Sequence, residues 1–451
     1  MYYIATGLRL VNSYKLLGMH LYFSGIGGAG IGPLALIAHQ AGYSVSGSDK
    51  QASAYISYLR QKGINSIHIG QSLRAIEQVD KARPIDWFIY SSALTLENPN
   101  AEELLFAKNK GIRVSKRDAL INEILDSKGL KMIAIAGTHG KTTTTAMATW
   151  LFKDAGLPIS YLLPAKTSFA EMGEYDPNSQ YFIYEADEFD RNFLSFKPYL
   201  SLISGVSWDH HEIFPSREDY QQAFRQFISQ SNKTYVWQSD ASYLNLDKKN
   251  FNIAVLNPDE PQIKKLGLKG LYNRFDAWLT IKAIGSLVPI SETDLEARIR
   301  HFPGLSRRME EIMPNLYSDY AHTPEKIKAA INTAREIADA KHQSLVVVYE
   351  PLTDRRQHYI KELYKDCFIG VDKLYWVPSY LAREDSNTPI LKPVDLIPFM
   401  ANASIATAAD KNNQLKQAIE HHLSQGAMVV GIAGGGGGSL DDWLRQEFKS
   451  S

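Results

Sequence analysis

An apolar run, Lys131-Met132-Ile133-Ala134-Ile135-Ala136, breaks into Gly137-Thr138-His139-Gly140-Lys141-Thr142-Thr143 and resumes as a helical pattern reaching Ala155. Strand, glycine turn and helix in that order leave little choice of fold. The turn's amides gather at a helix N-terminus, which attracts an anion, and a mostly parallel α/β sheet is the architecture that places a helix there. A phosphate loop uses such amides as a cradle, a lysine for the terminal phosphates and a hydroxyl for Mg²⁺. Lys141 and Thr142 occupy those two positions. The loop is the short G-x-x-G-K-T form, because Ile135 stands where the longer form has its first glycine. A flexible turn carrying a surface lysine is the competing reading.

Strand runs alternate with helical patterns on both sides of this loop, so the expected fold is α/β with three domains. A Rossmann-like domain spans 19–130, a phosphate-loop domain with a central, mostly parallel sheet spans 131–303, and a second Rossmann-like domain spans 304–451. Residues 1–18 read as an added arm, and Phe302-Pro303-Gly304 as a hinge. The 49 Lys and Arg balance the 49 Asp and Glu, so bulk charge draws the chain to neither nucleic acid nor anionic lipid. Cys367 is the single cysteine, which rules out an intramolecular disulfide and a cysteine-built zinc site and fits the cytoplasm. No apolar run approaches the roughly 20 residues of a membrane helix, and Arg9, Asn12 and Lys15 interrupt the N-terminal stretch, which reads as neither anchor nor signal peptide.

The first domain opens with its own glycine turn, Gly25-Ile26-Gly27-Gly28-Ala29-Gly30, with Asp49 19 residues past the last glycine. That pattern fits a dinucleotide, but the same amides and carboxylate suit a nucleotide-sugar diphosphate equally, and tight packing of a turn explains it too. In the central domain, Glu185-Ala186-Asp187-Glu188 and Trp208-Asp209-His210-His211 follow strand runs, at the sheet edge where ligands bind. Mg²⁺ prefers oxygen ligands, so Glu185 is the first candidate. Read alone, His210 is an ordinary surface histidine, and Asp187, Glu188 and Asp190 suit helix caps or solvated charges as well as ligands.

In order and spacing, Gly137 to Thr142, Glu185 to Glu188, Asp209-His210, Gly270-Leu271-Tyr272-Asn273, Arg307-Arg308-Met309-Glu310 and Asp319-Tyr320-Ala321-His322 together resemble the Mur ligase family. The resemblance implies an ATP- and Mg²⁺-dependent ligase of peptidoglycan precursor synthesis. A muramyl carboxylate attacks the γ-phosphorus of ATP, and an amine then attacks the acyl phosphate. By resemblance the first glycine turn, Asp49, Ser91 and Ser92 receive the UDP sugar, which displaces the dinucleotide reading. Residues Gly137 to Thr143 hold ATP phosphates, with Lys141, Glu185 and His210 catalytic, and Thr142, Glu185 and His210 ligate the metal. Asn273, Arg308 and Asp319 meet the nucleotide. Closure about Lys131 and about Phe302 to Gly304 assembles the site.

The implied substrates are UDP-N-acetylmuramate and L-alanine, the enzyme being a monomer or a homodimer. Departures keep two alternatives open. Glu350-Pro351-Leu352-Thr353 replaces a Gln-Pro-His-Arg segment, which points to a murein tripeptide as acceptor, and the accumulated changes also admit a non-catalytic UDP-sugar- and ATP-binding homologue. Tyr272, Asp276 and Thr323 are further changes, and Gly434 to Gly438 reads as a flexible loop of high ordering entropy. His322, Arg355 and Arg356 are the acceptor candidates, either arginine serving as a carboxylate clamp or standing solvated at a helix start.

Overall fold

The computed structural model describes residues 18–91, 94–95, 98–210, 213–247, 250–381 and 389–448. Ser92, His211 and all of the expected arm except Gly18 lie outside the described residues.

Three sheets carry the fold. The first contains β1 (His20–Ser24), β2 (Ser44–Asp49), β3 (Ile67–Ile69), β4 (Trp87–Tyr90) and β5 (Arg113–Lys116), all parallel, in the order β3-β2-β1-β4-β5. The second contains β6 (Lys131–Ala136), β7 (Ser160–Leu162), β8 (Gly173–Glu174), β9 (Tyr181–Glu185), β10 (Leu200–Ile203), β11 (Thr234–Trp237) and β12 (Ile253–Leu256). Its order is β12-β11-β10-β6-β9-β7-β8, and only the β7–β8 pair is antiparallel. The third contains β13 (Glu310–Met313), β14 (Leu316–Asp319), β15 (Leu345–Glu350), β16 (Lys373–Trp376), β17 (Ala406–Ala408) and β18 (Met428–Ala433). Its order is β13-β14-β18-β15-β16-β17, with β13–β14 antiparallel.

Helices cover both faces of a parallel sheet, so its central strands lose contact with water on both sides. Every residue of β15 and β18 is buried, and alternate side chains divide between two cores. Val347, Tyr349, Val430 and Ile432 join the helix Pro324–Ala340 and Trp376 on one face. Val346, Val348 and Val429 join Leu415, Ile419 and Leu444 on the other. That period of two is what β-structure imposes on a continuous apolar run.

The chain divides into two compact units, the first of which holds two of the three sheets. The first runs to Leu266 and resumes over Asp276–Pro303, and the second is Gly267–Phe275 with Gly304 onward. One core explains why the first two sheets stay together: Leu120, Ile124 and Leu125 of the helix Arg117–Lys128 belong to the same apolar cluster as Met132, Phe182 and Tyr184. Lys131, read from the sequence as a point of closure, therefore lies inside a compact unit. Separating the sheets there exposes that shared apolar surface, which water opposes.

Each sheet changes winding direction at an identifiable place. In the first it is between β1 and β4, in the second around β6, and in the third where β18 sits between β14 and β15. Crevices outside the carboxyl ends of strands at such points are where open α/β sheets bind ligands. Among the described residues no helix is long and apolar enough to cross a membrane.

Candidate active site

The phosphate loop leaves β6 at the switch point of the second sheet. Gly137 and Gly140 have φ of 147° and 75°, in the left-handed region that side chains avoid. Space forbids a side chain as well. A Cβ on Gly137 falls 2.6 Å from Ser204 Oγ, and one on Gly140 falls 2.5 Å from Asp276 Oδ1. The loop is clamped to the segment after β10. Thr138 N–H donates to Gly205 O (2.7 Å), the Thr138 hydroxyl donates to Ser207 O (2.7 Å), and His139 Nε2 lies 2.7 Å from Ser207 Oγ. Thr142 and Thr143 sit half-buried in the first turn of the helix Lys141–Asp154. Gly140→Ala is expected to cost about 2 kcal/mol of stability from backbone strain alone. It also displaces the loop amides, so a thermal melt should fall with a nucleotide affinity at least about tenfold weaker. Unchanged nucleotide affinity counts against the loop as the phosphate cradle.

Lys141 Nζ donates to Gly137 O and to Glu188 Oε2, each at 2.6 Å, and lies 3.7 Å from Asp187 Oδ1. Glu188 is wholly buried, with Oε1 3.3 Å from the Tyr220 hydroxyl and 3.6 Å from His210 Nε2. Burial by itself raises the pKa of Glu188. The Lys141 ammonium, together with hydrogen bonds from His210 and Lys141, reverses this and holds it down at about 2. Burial opposes the charge of Lys141 and His210 too, yet the carboxylates around them shift both pKa values upward. Asp190, Arg191 and His210 have φ of 56°, 56° and 55°. Three non-glycine residues in the left-handed region around one buried carboxylate is strain concentrated at a site, as functional loops concentrate it.

Sequence reasoning ranked Glu185 first, and the fold adds Glu188 as the carboxylate that joins Lys141 to His210. Glu185 ends β9 opposite Ile135, two residues before the phosphate loop. Glu188 starts the turn that folds back under the loop. Tyr220 was missed as a part of the site, and Asp276 was noted only as a change from the family pattern. Tyr220 reads as an ordinary core aromatic of the helix Arg217–Ser229, whereas Asp276 is a buried carboxylate just inside the helix Leu271–Gly285. Among the described residues no three His, Cys, Asp or Glu side chains gather as a ready metal cage. The Thr142, Glu185 and His210 set does not require one, since Mg²⁺ keeps waters and takes substrate phosphate oxygens.

The first glycine turn follows β1 at the switch point of its sheet, and Ser91 follows β4 beside it. Gly25, with φ of 80°, and Ile26 donate their amides to Ser48 O at 2.8 and 3.0 Å. Asp49, expected with the turn to receive the UDP sugar, takes the Gly27 amide on Oδ2 at 2.8 Å and so holds the turn in shape. Gly28 N–H donates to Gly25 O at 3.0 Å, which tightens it further. Beneath the turn, buried Glu103 accepts hydroxyl bonds from Tyr22 (2.7 Å), Ser48 (2.8 Å) and Ser24 (3.0 Å). Nothing in the local pattern around Glu103 singles it out.

In the second unit, the loops after β14, β15 and β18 lie side by side. Asp319 accepts the Met309 and Ala321 amides, both at 2.9 Å, and the Arg308 guanidinium stacks over the Tyr320 ring at 5.0 Å. Asn273 donates its side-chain amide to Lys269 O at 2.8 Å. His322 Nδ1 lies 2.8 Å from Tyr320 O, and a carbonyl only accepts, so Nδ1 carries the proton and Nε2 presents a lone pair. Burial, reinforced by the charges of Lys326, Arg356 and Arg308, pushes its pKa down to about 3, so it is neutral at pH 7.

The two candidate arginines part company here. Arg355 is exposed, whereas Arg356 is half-buried and its Nη1 is buried without a hydrogen-bond partner among the described residues. Thr353, just before them, has φ of 54°, an outlier for a β-branched residue. Gly434 to Gly438 is not a uniformly loose loop. A Cβ on Gly434 falls 2.6 Å from His322 Cβ and one on Gly435 falls 2.6 Å from the Tyr380 ring, so close packing fixes the first half of the run. Buried Glu350 is engaged by Lys411 Nζ (2.6 Å) and the Leu440 amide (2.9 Å), tying β15 to the helix Leu440–Phe448.

Three α/β sheets, a phosphate loop sealed by a buried Lys–Glu–His array and a second glycine turn define an ATP-dependent ligase. The chain belongs to the Mur ligase family: its catalytic domain matches residues 20–128, its middle domain 135–275 and its glutamate ligase domain 307–436. It is therefore an enzyme that forms amide bonds. It is 28% identical, over 81% of its own length and 84% of the relative's, to a UDP-N-acetylmuramate–L-alanine ligase of Fusobacterium nucleatum. In fold it is similar to the UDP-N-acetylmuramate-alanine ligase MurC of Thermotoga maritima (20% identity, TM-score 0.73, 96% of this chain and 98% of that one). It is also similar to a murein peptide ligase of Psychrobacter arcticus (20% identity, TM-score 0.61, 96% and 98%).

Proposed function

We propose that the chain joins L-alanine to the lactyl carboxylate of UDP-N-acetylmuramate at the expense of ATP. The observation that carries this reading is the buried Lys141–Glu188–His210 array in the same unit as a glycine turn suited to a nucleotide-sugar diphosphate. Similarity across most of the chain to UDP-N-acetylmuramate–L-alanine ligases supports the choice of substrates.

The loop amides and Lys141 hold the ATP phosphates, and a carboxylate oxygen of the sugar forms a bond to the γ-phosphorus as the bond to ADP breaks. The amine of the acceptor then bonds to the acyl carbon, phosphate leaves with the carbonyl–oxygen bond pair, and the nitrogen loses its proton to become the amide. No covalent enzyme intermediate is needed, so the protein's contribution is alignment and charge. Thr142, Glu185 and His210 offer oxygen and imidazole donors that fit Mg²⁺, which when bound supplies positive charge against crowded phosphate oxygens. Glu188 fixes the Lys141 ammonium, and Asp276 backs Gly140 so that the loop amides keep their direction. In the second unit, Arg356 receives the acceptor's carboxylate, and the neutral His322 Nε2 faces its amine as a hydrogen-bond acceptor.

Phosphate release from Mg-ATP and UDP-N-acetylmuramate should depend on L-alanine, exceeding glycine and L-serine at equal concentration, with the alanyl product seen by mass spectrometry. Release only with L-Ala-γ-D-Glu-diaminopimelate makes the chain a tripeptide ligase, the reading that Glu350 to Thr353 keeps alive. Binding of the UDP sugar without turnover of any acceptor refutes the catalytic reading.

A further inference from the structure

Arg117 begins the helix Arg117–Lys128 directly after β5. Its Nη1 lies 2.5 Å from the point where a Cβ on Gly30 would stand. Gly30 is not among the glycines of positive φ, so the absence of a side chain there serves to admit the guanidinium rather than to bend the chain. The charges of Asp187, Asp118 and Glu185, together with the Tyr184 hydroxyl of β9, act on Arg117 electrostatically and favour its charged form. The guanidinium thus packs against the last residue of the first glycine turn and lies within the field of the acidic residues after β9.

Docking of that helix does not depend on Arg117. Lys116 ion-pairs with Asp190, Asn122 donates to Ser195 O at 2.9 Å, and the Ser195 hydroxyl donates to Asp118 at 3.0 Å. The reaction, meanwhile, makes a geometric demand of this unit. A sugar gripped by its diphosphate at Gly25 to Gly30 must extend its carboxylate toward the γ-phosphate held at Lys141. A planar guanidinium at the end of the first glycine turn matches such a carboxylate with two parallel N–H bonds, which an ammonium does not.

We propose that Arg117 is a specificity residue that holds the reacting carboxylate of the nucleotide sugar, an inference that rests on the function proposed above. A site built around that group discriminates against an analogue lacking it, because the charge-assisted pair with the substrate carboxylate is then not formed. UDP-N-acetylglucosamine is such an analogue, identical in nucleotide and diphosphate but without the lactyl carboxylate.

Calorimetric titration of both sugars into the unaltered chain and into Arg117→Gln and Arg117→Lys tests this. Arg117→Gln should weaken UDP-N-acetylmuramate by about 30-fold and UDP-N-acetylglucosamine by less than about threefold, with Arg117→Lys between, in keeping with a charged hydrogen-bonded contact. Equal weakening of both sugars assigns Arg117 to the diphosphate and overturns the proposal, as does a lowered melting temperature with neither affinity changed. Should Arg117→Gln fail to fold, the ratio of the two affinities in Arg117→Lys decides the same question. If the unaltered chain binds neither sugar, the function reading falls and takes this assignment with it. If it binds and turns over substrate while both variants discriminate as it does, only the assignment falls.

Discussion

Lys141→Ala is expected to lower ATP turnover by about a thousandfold or more, the scale of removing one preorganised positive donor from a phosphoryl or acyl transition state. Affinity for the UDP sugar should change by less than about threefold, because the first glycine turn is built from β1, Ser48 and Asp49 and shares no hydrogen bond with Lys141. Stability falls as well. The substitution strands Glu188, wholly buried and held ionised by the ammonium it loses, and breaking a buried pair from one side costs about 3–5 kcal/mol. The double variant Lys141→Ala with Glu188→Gln separates the two effects, recovering much of the melting temperature but none of the turnover. Near-normal turnover in Lys141→Ala removes the loop from the mechanism, and a parallel loss of sugar binding removes the division into two subsites.

Arg356→Ala should raise the KM for L-alanine by about 30- to 100-fold at nearly unchanged ATP affinity, the range of a charge-assisted hydrogen bond to a carboxylate. Arg355→Ala should change it by less than about threefold. The asymmetry follows from their surroundings. Arg355 is exposed, so it meets a carboxylate only against competing water, whereas Arg356 has a buried nitrogen without a hydrogen-bond partner among the described residues and stands in the group of charges that holds His322 neutral. Steady-state kinetics in alanine decides the matter, and equal effects of the two substitutions transfer the clamp to neither.

The α/β class, the strand, glycine turn and helix around Gly137 to Thr142, and the strand runs Trp87–Tyr90, Lys131–Ala136 and Met428–Ala433 were all legible along the chain. Each is a local pattern, an apolar run interrupted by glycines and followed by a helix, and local patterns survive without knowledge of what packs against them. Asp49 shows the limit. A carboxylate about twenty residues past a glycine turn reads as part of a nucleotide site, but its hydrogen bond to the Gly27 amide appears only once β1 and β2 are paired. The glycine run Gly434 to Gly438 was misjudged for the same reason, since the side chains that pack its first two members come from His322 and Tyr380, far away in sequence.

By itself the sequence determined what chemistry is available: a lysine and a hydroxyl in a phosphate turn, acids and a histidine after strands, a second glycine turn and two neighbouring arginines. Tertiary structure alone decided which of them act together. Burial chose Glu188 for the pair with Lys141, placed Arg117 against Gly30 and separated Arg356 from its exposed neighbour. The reason is physical: composition and spacing fix the charge a residue carries, but the strength and direction of its interactions depend on desolvation and on neighbours brought near by sheet order, which no short stretch of chain encodes.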